Sequence, residues 1–309
     1  MKKLLSILIL CLGCIGILGA QNVWKLINSN TPLLGAASNG DLFAMADYSG
    51  LLRSQDEGET WEQVNSNSMH QCIAFSPQGR IFVFPTNYMY LQYSDDGGDT
   101  WHETTIMSTC ATYNVAGICA PSNDIVVVWS SGGEIYWTMD GGETWGYSSL
   151  ASWTGDPWVN DLIVNEAGDV YIGLSSGGDY AGGIFHSTLN DGLANWTSVA
   201  FWGISVSHME FDPNGNVVAC RSADGSIGFQ HTPGFYLFDG TSLAIGDGGV
   251  VFTPHFMGLQ AVLSYSTDHG EHFTEIGEHV PLVDIAPCGE PRLFRGADNH
   301  LYFDGGGEY

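Results

Sequence analysis

Apolar residues run along this chain in short bursts rich in β-branched and aromatic side chains, and pairs of bursts are split by a polar turn built on Gly or Asn. Ile73-Ala-Phe-Ser-Pro-Gln-Gly-Arg-Ile-Phe-Val-Phe84, Leu162-Ile-Val-Asn-Glu-Ala-Gly-Asp-Val-Tyr-Ile172 and Met209-Glu-Phe-Asp-Pro-Asn-Gly-Asn-Val-Val-Ala219 are three such pairs, and each predicts a β-hairpin. A third burst follows, as in Met89-Tyr-Leu-Gln-Tyr93 or Ile135-Tyr-Trp137, and a fourth begins at a tryptophan. The pattern therefore predicts units of four short strands.

Between the third and fourth bursts lies a repeated motif. It reads Ser54-Gln-Asp-Glu-Gly-Glu-Thr-Trp61, Ser94-Asp-Asp-Gly-Gly-Asp-Thr-Trp101, Thr138-Met-Asp-Gly-Gly-Glu-Thr-Trp145 and Ser266-Thr-Asp-His-Gly-Glu-His-Phe273. A looser copy spans Ser187 to Trp196, a degenerate turn lies at His231-Thr-Pro-Gly234, and Asp304-Gly-Gly-Gly-Glu-Tyr309 has the spacing of Asp96 to Trp101. Counted this way there are seven copies, about 41 residues apart, which is the size of one propeller blade. The motif resembles the Asp box, or BNR repeat, and the chain is similar to the Asp-box β-propellers of sialidases, tandem-propeller xyloglucanases, sortilin-type receptors and photosystem II assembly factors. That resemblance implies an all-β fold, a seven-bladed β-propeller of four-stranded blades. It also implies a structural role for Asp56, Asp96, Asp140, Asp268 and Asp304, because the box is a folding element that lies away from the functional face of the related enzymes. Trp24-Lys-Leu-Ile-Asn-Ser-Asn30 mirrors Trp61-Glu-Gln-Val-Asn-Ser-Asn67. The expectation is that this N-terminal strand pairs into the last blade, directly against Leu301 to Phe303, and leaves no open sheet edge.

The N-terminal segment breaks the pattern. Lys2 and Lys3 precede an apolar run from Leu4 to Leu18, and Gly19-Ala20 offers a small-residue cleavage site. Residues 1–20 read as a signal peptide and 21–309 as a single propeller domain, secreted to the periplasm or the extracellular space. Cys14 after Leu12-Gly13 keeps lipidation open as an alternative. After cleavage six cations face 34 acids, a net charge of −28. Such a surface repels nucleic acid and anionic membranes, so neither is an expected partner. Cys72, Cys110, Cys119, Cys220 and Cys288 remain, an odd number with no disulfide framework. The mature segment holds no spacing typical of a metal or nucleotide site, so neither a metal nor a cofactor is expected.

The loops opposite the boxes are aromatic: Tyr48, Tyr88, Tyr113, Trp153, Trp158, Tyr180, Phe201, Trp202 and Phe256 lie among Ser, Asn and Gly. Aromatic faces beside neutral hydrogen-bonding groups suit sugar rings or extended peptides. The ligand-binding candidates are Trp153, Trp158, Tyr180, Tyr113, Arg221, His255 and Arg295. Aligning the hairpins places Leu33, Cys72, Gly117, Asp161, His208, Thr241 and Asp284 at one position near the channel. Asp161, Glu210, Asp284 and His208 are the catalytic candidates, since paired carboxylates with a histidine support acid/base chemistry. Weighed together, the sequence reads as a non-enzymatic scaffold for an extracellular glycan or protein, with a glycoside hydrolase as the alternative.

The sialidase branch is excluded by arginine inventory. Sialidases converge three arginines on the substrate carboxylate and carry a Phe/Tyr-Arg-Ile-Pro motif, which is absent here. The arginines are Arg53, Arg80, Arg221, Arg292 and Arg295, and the hairpin register directs only Arg221 and Arg295 toward the loop face. The protein is accordingly expected to release no sialic acid from an aryl sialoside, and robust release in a chromogenic assay would refute this reading.

Overall fold

The computed structural model describes residues 6–9, 24–27, 33–46, 50–67, 69–86, 90–105, 115–150, 158–175, 182–221, 229–240, 242–257, 260–281, 292–296 and 300–304. Among these the fold is all-β. The strands fall in four-stranded sheets, and the only helices among the described residues are the 3-10 turns Leu189–Asp191 and Asp247–Gly249. Among the described residues no helix is long and apolar enough to cross a membrane.

The hairpins form where the polar turns predicted them, and side chains cap them. In Asp212-Pro-Asn-Gly-Asn216, Asp212 Oδ1 accepts the N–H groups of Asn214 (2.8 Å) and Asn216 (2.9 Å), and Gly215 takes the left-handed φ of +81° that closes the turn. Asn165 and Ser76 accept the same backbone N–H in their own turns.

Two compact units divide the chain. One comprises residues 48–53 and 62–209. Its sheet Val115–Cys119, Val126–Ser130, Glu134–Thr138, Gly146–Ser149 is followed by the sheet Val159–Val164, Asp169–Leu174, Gly183–Thr188, Thr197–Ala200, each an antiparallel meander. Val127, Ile135, Leu162, Val170, Ile172, Phe185 and Trp196 form the core between them. The middle strands are apolar on both faces because both are covered, so they read as continuous runs such as Val126-Val-Val-Trp129. The other unit comprises residues 1–47, 54–61 and 210–309 and has its own cores, one around Val218, Phe238, Leu243 and Val251, another joining Leu263 to Leu293 and Leu301.

The four clear motif copies share one hydrogen-bond set. Ser54 Oγ accepts the Gly58 N–H (2.8 Å) and donates to Asp56 Oδ1 (2.9 Å), and Asp56 accepts both the N–H (2.8 Å) and the hydroxyl (2.6 Å) of Thr60. Ser94/Asp96/Thr100 and Thr138/Asp140/Thr144 repeat it, and His272 replaces the threonine in the fourth. The threonine hydrogen bonds hold Asp56, Asp96 and Asp140 down to about 2. At Asp268 burial acts upward, but the Ser266 hydroxyl and His272 N–H outweigh it and the carboxyl again lies at about 2. These folded values lie below the unfolded value near 4, so the stabilisation is complete above that pH and is lost as pH falls toward 2.

Two of these turns are also gripped by the preceding sheet. Arg53 donates to the Gly97 carbonyl (2.8 Å) while pairing with Glu62 and Asp99, Trp101 Nε1–H donates to the Val64 carbonyl (2.9 Å), and Thr105 Oγ1 donates to the Gly142 carbonyl (2.8 Å). The approach is close enough that a Cβ on Gly142 would stand 2.4 Å from Thr104 Cγ2.

Two expectations are corrected. The degenerate turn at His231–Gly234 was expected to join a third strand to an outer fourth. Instead Gln230–Thr232 lies outermost and Phe235–Asp239 takes the third place, parallel to Val217–Arg221. The reason is burial: Phe235-Tyr-Leu-Phe is the apolar segment and fills the covered position, with Leu237 and Phe238 fully buried, while the polar Gln-His-Thr takes the edge.

The second correction concerns the C-terminal copy. Leu301–Asp304 is the second strand of a hairpin with Arg292–Arg295, closed by Gly296 N–H to the His300 carbonyl (2.8 Å) like the other first hairpins. Asp304 thus ends a second strand rather than a third, and the rest of that copy, 305–309, lies outside the described residues. Trp24–Ile27 does join this sheet as its outer strand, but Ser6–Ile9 lies between it and Leu301–Asp304, so the pairing is indirect.

Since Trp101 is half-buried and bonded to the neighbouring sheet, Trp101→Ala should cost about 2–3 kcal/mol, below the ~3–5 of a fully buried aromatic. Urea denaturation measures this, and an unchanged midpoint would show that the clasp carries no stability.

Candidate functional site

Two candidate acids, Asp161 and Glu210, sit on the first strands of their sheets and accept backbone N–H groups. Asp161, near the start of Val159–Val164, accepts the Leu162 N–H at Oδ1 (2.8 Å) and the Met209 N–H of the next sheet at Oδ2 (2.7 Å), with His208 Nδ1 at 3.5 Å from that oxygen. In the other unit Glu210 Oε2 accepts the Ile245 N–H (2.7 Å). Ser242 performs the same task with a hydroxyl, donating to the Leu293 carbonyl (3.1 Å) and accepting its N–H (3.0 Å). A side chain on one inner strand thus satisfies the backbone of the following one. A buried N–H needs such a partner, which explains polar residues at these positions without reference to catalysis.

The arginines are held in ion pairs. Arg221 is buried and donates to Asp239 (2.9 Å) directly across the parallel strand pair, while Arg295 pairs with Asp247 and reaches the Ile245 carbonyl. His255 lies opposite Val262 in the strand Val251–Met257, and its side chain lies outside the described residues. Asp284, Tyr113, Trp153 and Tyr180 also lie outside them.

Trp158 is 61% exposed and Trp202 67%, the two most exposed large apolar side chains among the described residues. Both stand at one end of the same meander. Trp158 precedes the first strand, and Trp202 follows the fourth by two residues. In an antiparallel meander the first strand begins where the fourth ends. Between them lie Ser175, whose hydroxyl donates to Asn160 Oδ1 (3.0 Å), and the backbone of Gly182. Trp202 was named among the loop aromatics but not among the binding candidates. The signal was the Phe-Trp-Gly sequence directly after an outer strand.

Two further groups with reactive side chains serve the fold instead. Asp268, Glu271 and His272 bring ligand atoms within 4.8 Å of one another. Asp268 already accepts from Ser266 Oγ (2.6 Å) and His272 N–H (2.9 Å), and its Oδ2 lies 2.7 Å from His272 Nδ1, so this is the turn motif with histidine in place of threonine. The pairing with Asp268 raises His272 above its ordinary range. Burial pushes the Cys119 thiol up to about 11, which removes it as a nucleophile at neutral pH. Cys72, Cys119 and Cys220 are not in disulfides, and Cys110 and Cys288 lie outside the described residues.

No protein-family model matches the chain, and no curated protein matches it. Solved structures do, and they are β-propellers. A GH74 enzyme from Niastella koreensis aligns with a TM-score of 0.61 at 14% identity, over 90% of this chain and 52% of its own, so the chain spans about half that enzyme's length. Virginiamycin B lyase from Staphylococcus aureus aligns at 0.62 and 12% identity, over 90% and 96% of the two chains. YCF48 bound to D1 peptide aligns at 0.54 and 16%, over 89% and 90%. The chain therefore has a β-propeller fold, and at these identities the likeness shows the fold alone.

The stapling role of Asp161 makes a distinction between variants. Asp161→Ala leaves the Met209 N–H without its acceptor and should cost about 1–3 kcal/mol in chemical denaturation, whereas Asp161→Asn keeps an acceptor oxygen and should cost less. Equal losses for the two would show that charge, not the hydrogen bond, matters there.

Proposed function

We propose that the chain is a secreted, seven-bladed Asp-box propeller that acts as a non-enzymatic scaffold binding an extracellular glycan or protein. The observation that carries this reading is the division of labour at the loop end. Asp161 and Glu210, which a hydrolase would need as acid and base, are spent on the backbone of neighbouring strands, while indole surface stands exposed beside neutral hydroxyl and amide groups. A working glycosidase requires two carboxyls flanking an open subsite.

The leader-like segment Met1 to Ala20 supports secretion, and its residues Ser6–Ile9 pair with Trp24–Ile27 and Leu301–Asp304 while the segment is attached. A protein partner is compatible with the likeness to YCF48 bound to D1 peptide, and a glycan partner with the likeness to the GH74 enzyme, though both likenesses concern the fold alone.

The test is an incubation of the purified protein with polysaccharides and extracellular-matrix proteins, read both for retention and for new reducing ends. Retention without cleavage is expected. Release of reducing ends that is lost in Asp161→Asn or Glu210→Gln would replace the scaffold reading with a glycoside hydrolase.

A further inference from the structure

Trp158 and Trp202 are held in place from below. The Val159 N–H donates to the Ser131 carbonyl (2.9 Å), and the Ser175 N–H donates to the Trp158 carbonyl (3.0 Å). Trp202 follows Phe201, a non-glycine residue in the left-handed region at φ +54°. The bend is locked on both sides, by Gly203 N–H to the Gly182 carbonyl (2.8 Å) and by Ile204 N–H to the Phe201 carbonyl (3.1 Å). Gly183 admits this crossing, since a Cβ there would stand 3.0 Å from the carbonyl oxygens of Ala200 and Phe201. The Trp202 ring leans edge-on against Phe185, centroids 5.9 Å apart, so one edge is anchored while the ring stays two-thirds exposed. Backbone strain at Phe201 and two open indoles together are costly to keep on a surface with no use for them.

The geometry points to a two-platform site for a neutral, extended oligosaccharide. This rests on the binding-scaffold reading and names the ligand class for its loop end. Three features select that class. The platforms begin at the first and the fourth strand, three strand spacings apart, roughly 14 Å, which exceeds a single sugar ring. Among the described residues the polar side chains between them, Ser175 and Asn160, are neutral, and the chain carries 34 acids against eight cations, so an anionic glycan would be repelled. An extended peptide takes its affinity from main-chain bonds along an open strand edge, whereas these indoles stand at the end of a sheet and offer ring faces to C–H surfaces.

The experiment is a tryptophan-fluorescence titration of the full chain with cellohexaose, mannohexaose and chitohexaose, followed by chromatography of the sugar. Binding of at least one is expected. Trp158→Ala and Trp202→Ala should each weaken it about tenfold or more, and Tyr147→Ala, an exposed aromatic on another sheet, should not. Affinity should change less than about twofold between low and moderate salt, since little charge is neutralised. No binding to any of the three, or binding untouched in both tryptophan variants, overturns the inference, while the broader scaffold reading survives through a protein ligand. Shortened sugar in the chromatogram overturns the scaffold reading instead, and the tryptophan variants then still decide whether the platforms hold the sugar. Fluorescence and circular dichroism of the unliganded variants confirm that they fold.

Discussion

A carboxylate that accepts a backbone N–H four residues ahead is the interaction on which this architecture rests. In each clear copy the aspartate and a preceding hydroxyl gather the N–H groups of one tight turn, which would otherwise be left unpaired as the chain reverses from third strand to fourth. A turn so organised presents its carbonyls outward in a fixed geometry. Arg53 and Thr105 of preceding sheets use those carbonyls as docking points, so local turn chemistry becomes sheet-to-sheet attachment. The depressed acidity of these aspartates follows from the same donors.

The inner strands solve a related problem with different residues. Where one sheet gives way to the next, a backbone N–H faces a neighbour rather than a ladder partner. Asp161, Glu210 and Ser242 each supply the missing acceptor. A hydroxyl serves as well as a carboxylate, which argues that acceptor geometry rather than charge is what the position requires. Polar residues near a channel therefore need not mean chemistry. Here their hydrogen-bonding capacity is spent on the fold.

What it leaves over at one sheet end is aromatic. Trp158 and Trp202 combine exposure with a backbone pinned by hydrogen bonds, a combination that limits the entropy lost when a ligand orders them. An acidic protein with neutral groups around these rings is suited to stacking rather than ion pairing.

The repeated Ser/Thr-x-Asp motif and the paired apolar bursts determined by themselves that the chain is all-β and built of four-stranded units, because turn capping and strand periodicity are local properties. They also placed Trp24–Ile27 as an outer strand. Three things only the tertiary structure decided. The apolar Phe235-Tyr-Leu-Phe displaced polar Gln230-His-Thr from the covered position, since burial on two faces outweighs chain order. Leu301–Asp304 took the second place of a hairpin, because the turn at Gly296 to His300 outcompeted a spacing match whose Ser/Thr was missing. Asp161 and Glu210 were absorbed into backbone hydrogen bonds, which depend on residues some 35 to 48 positions away and so leave no local trace in the sequence.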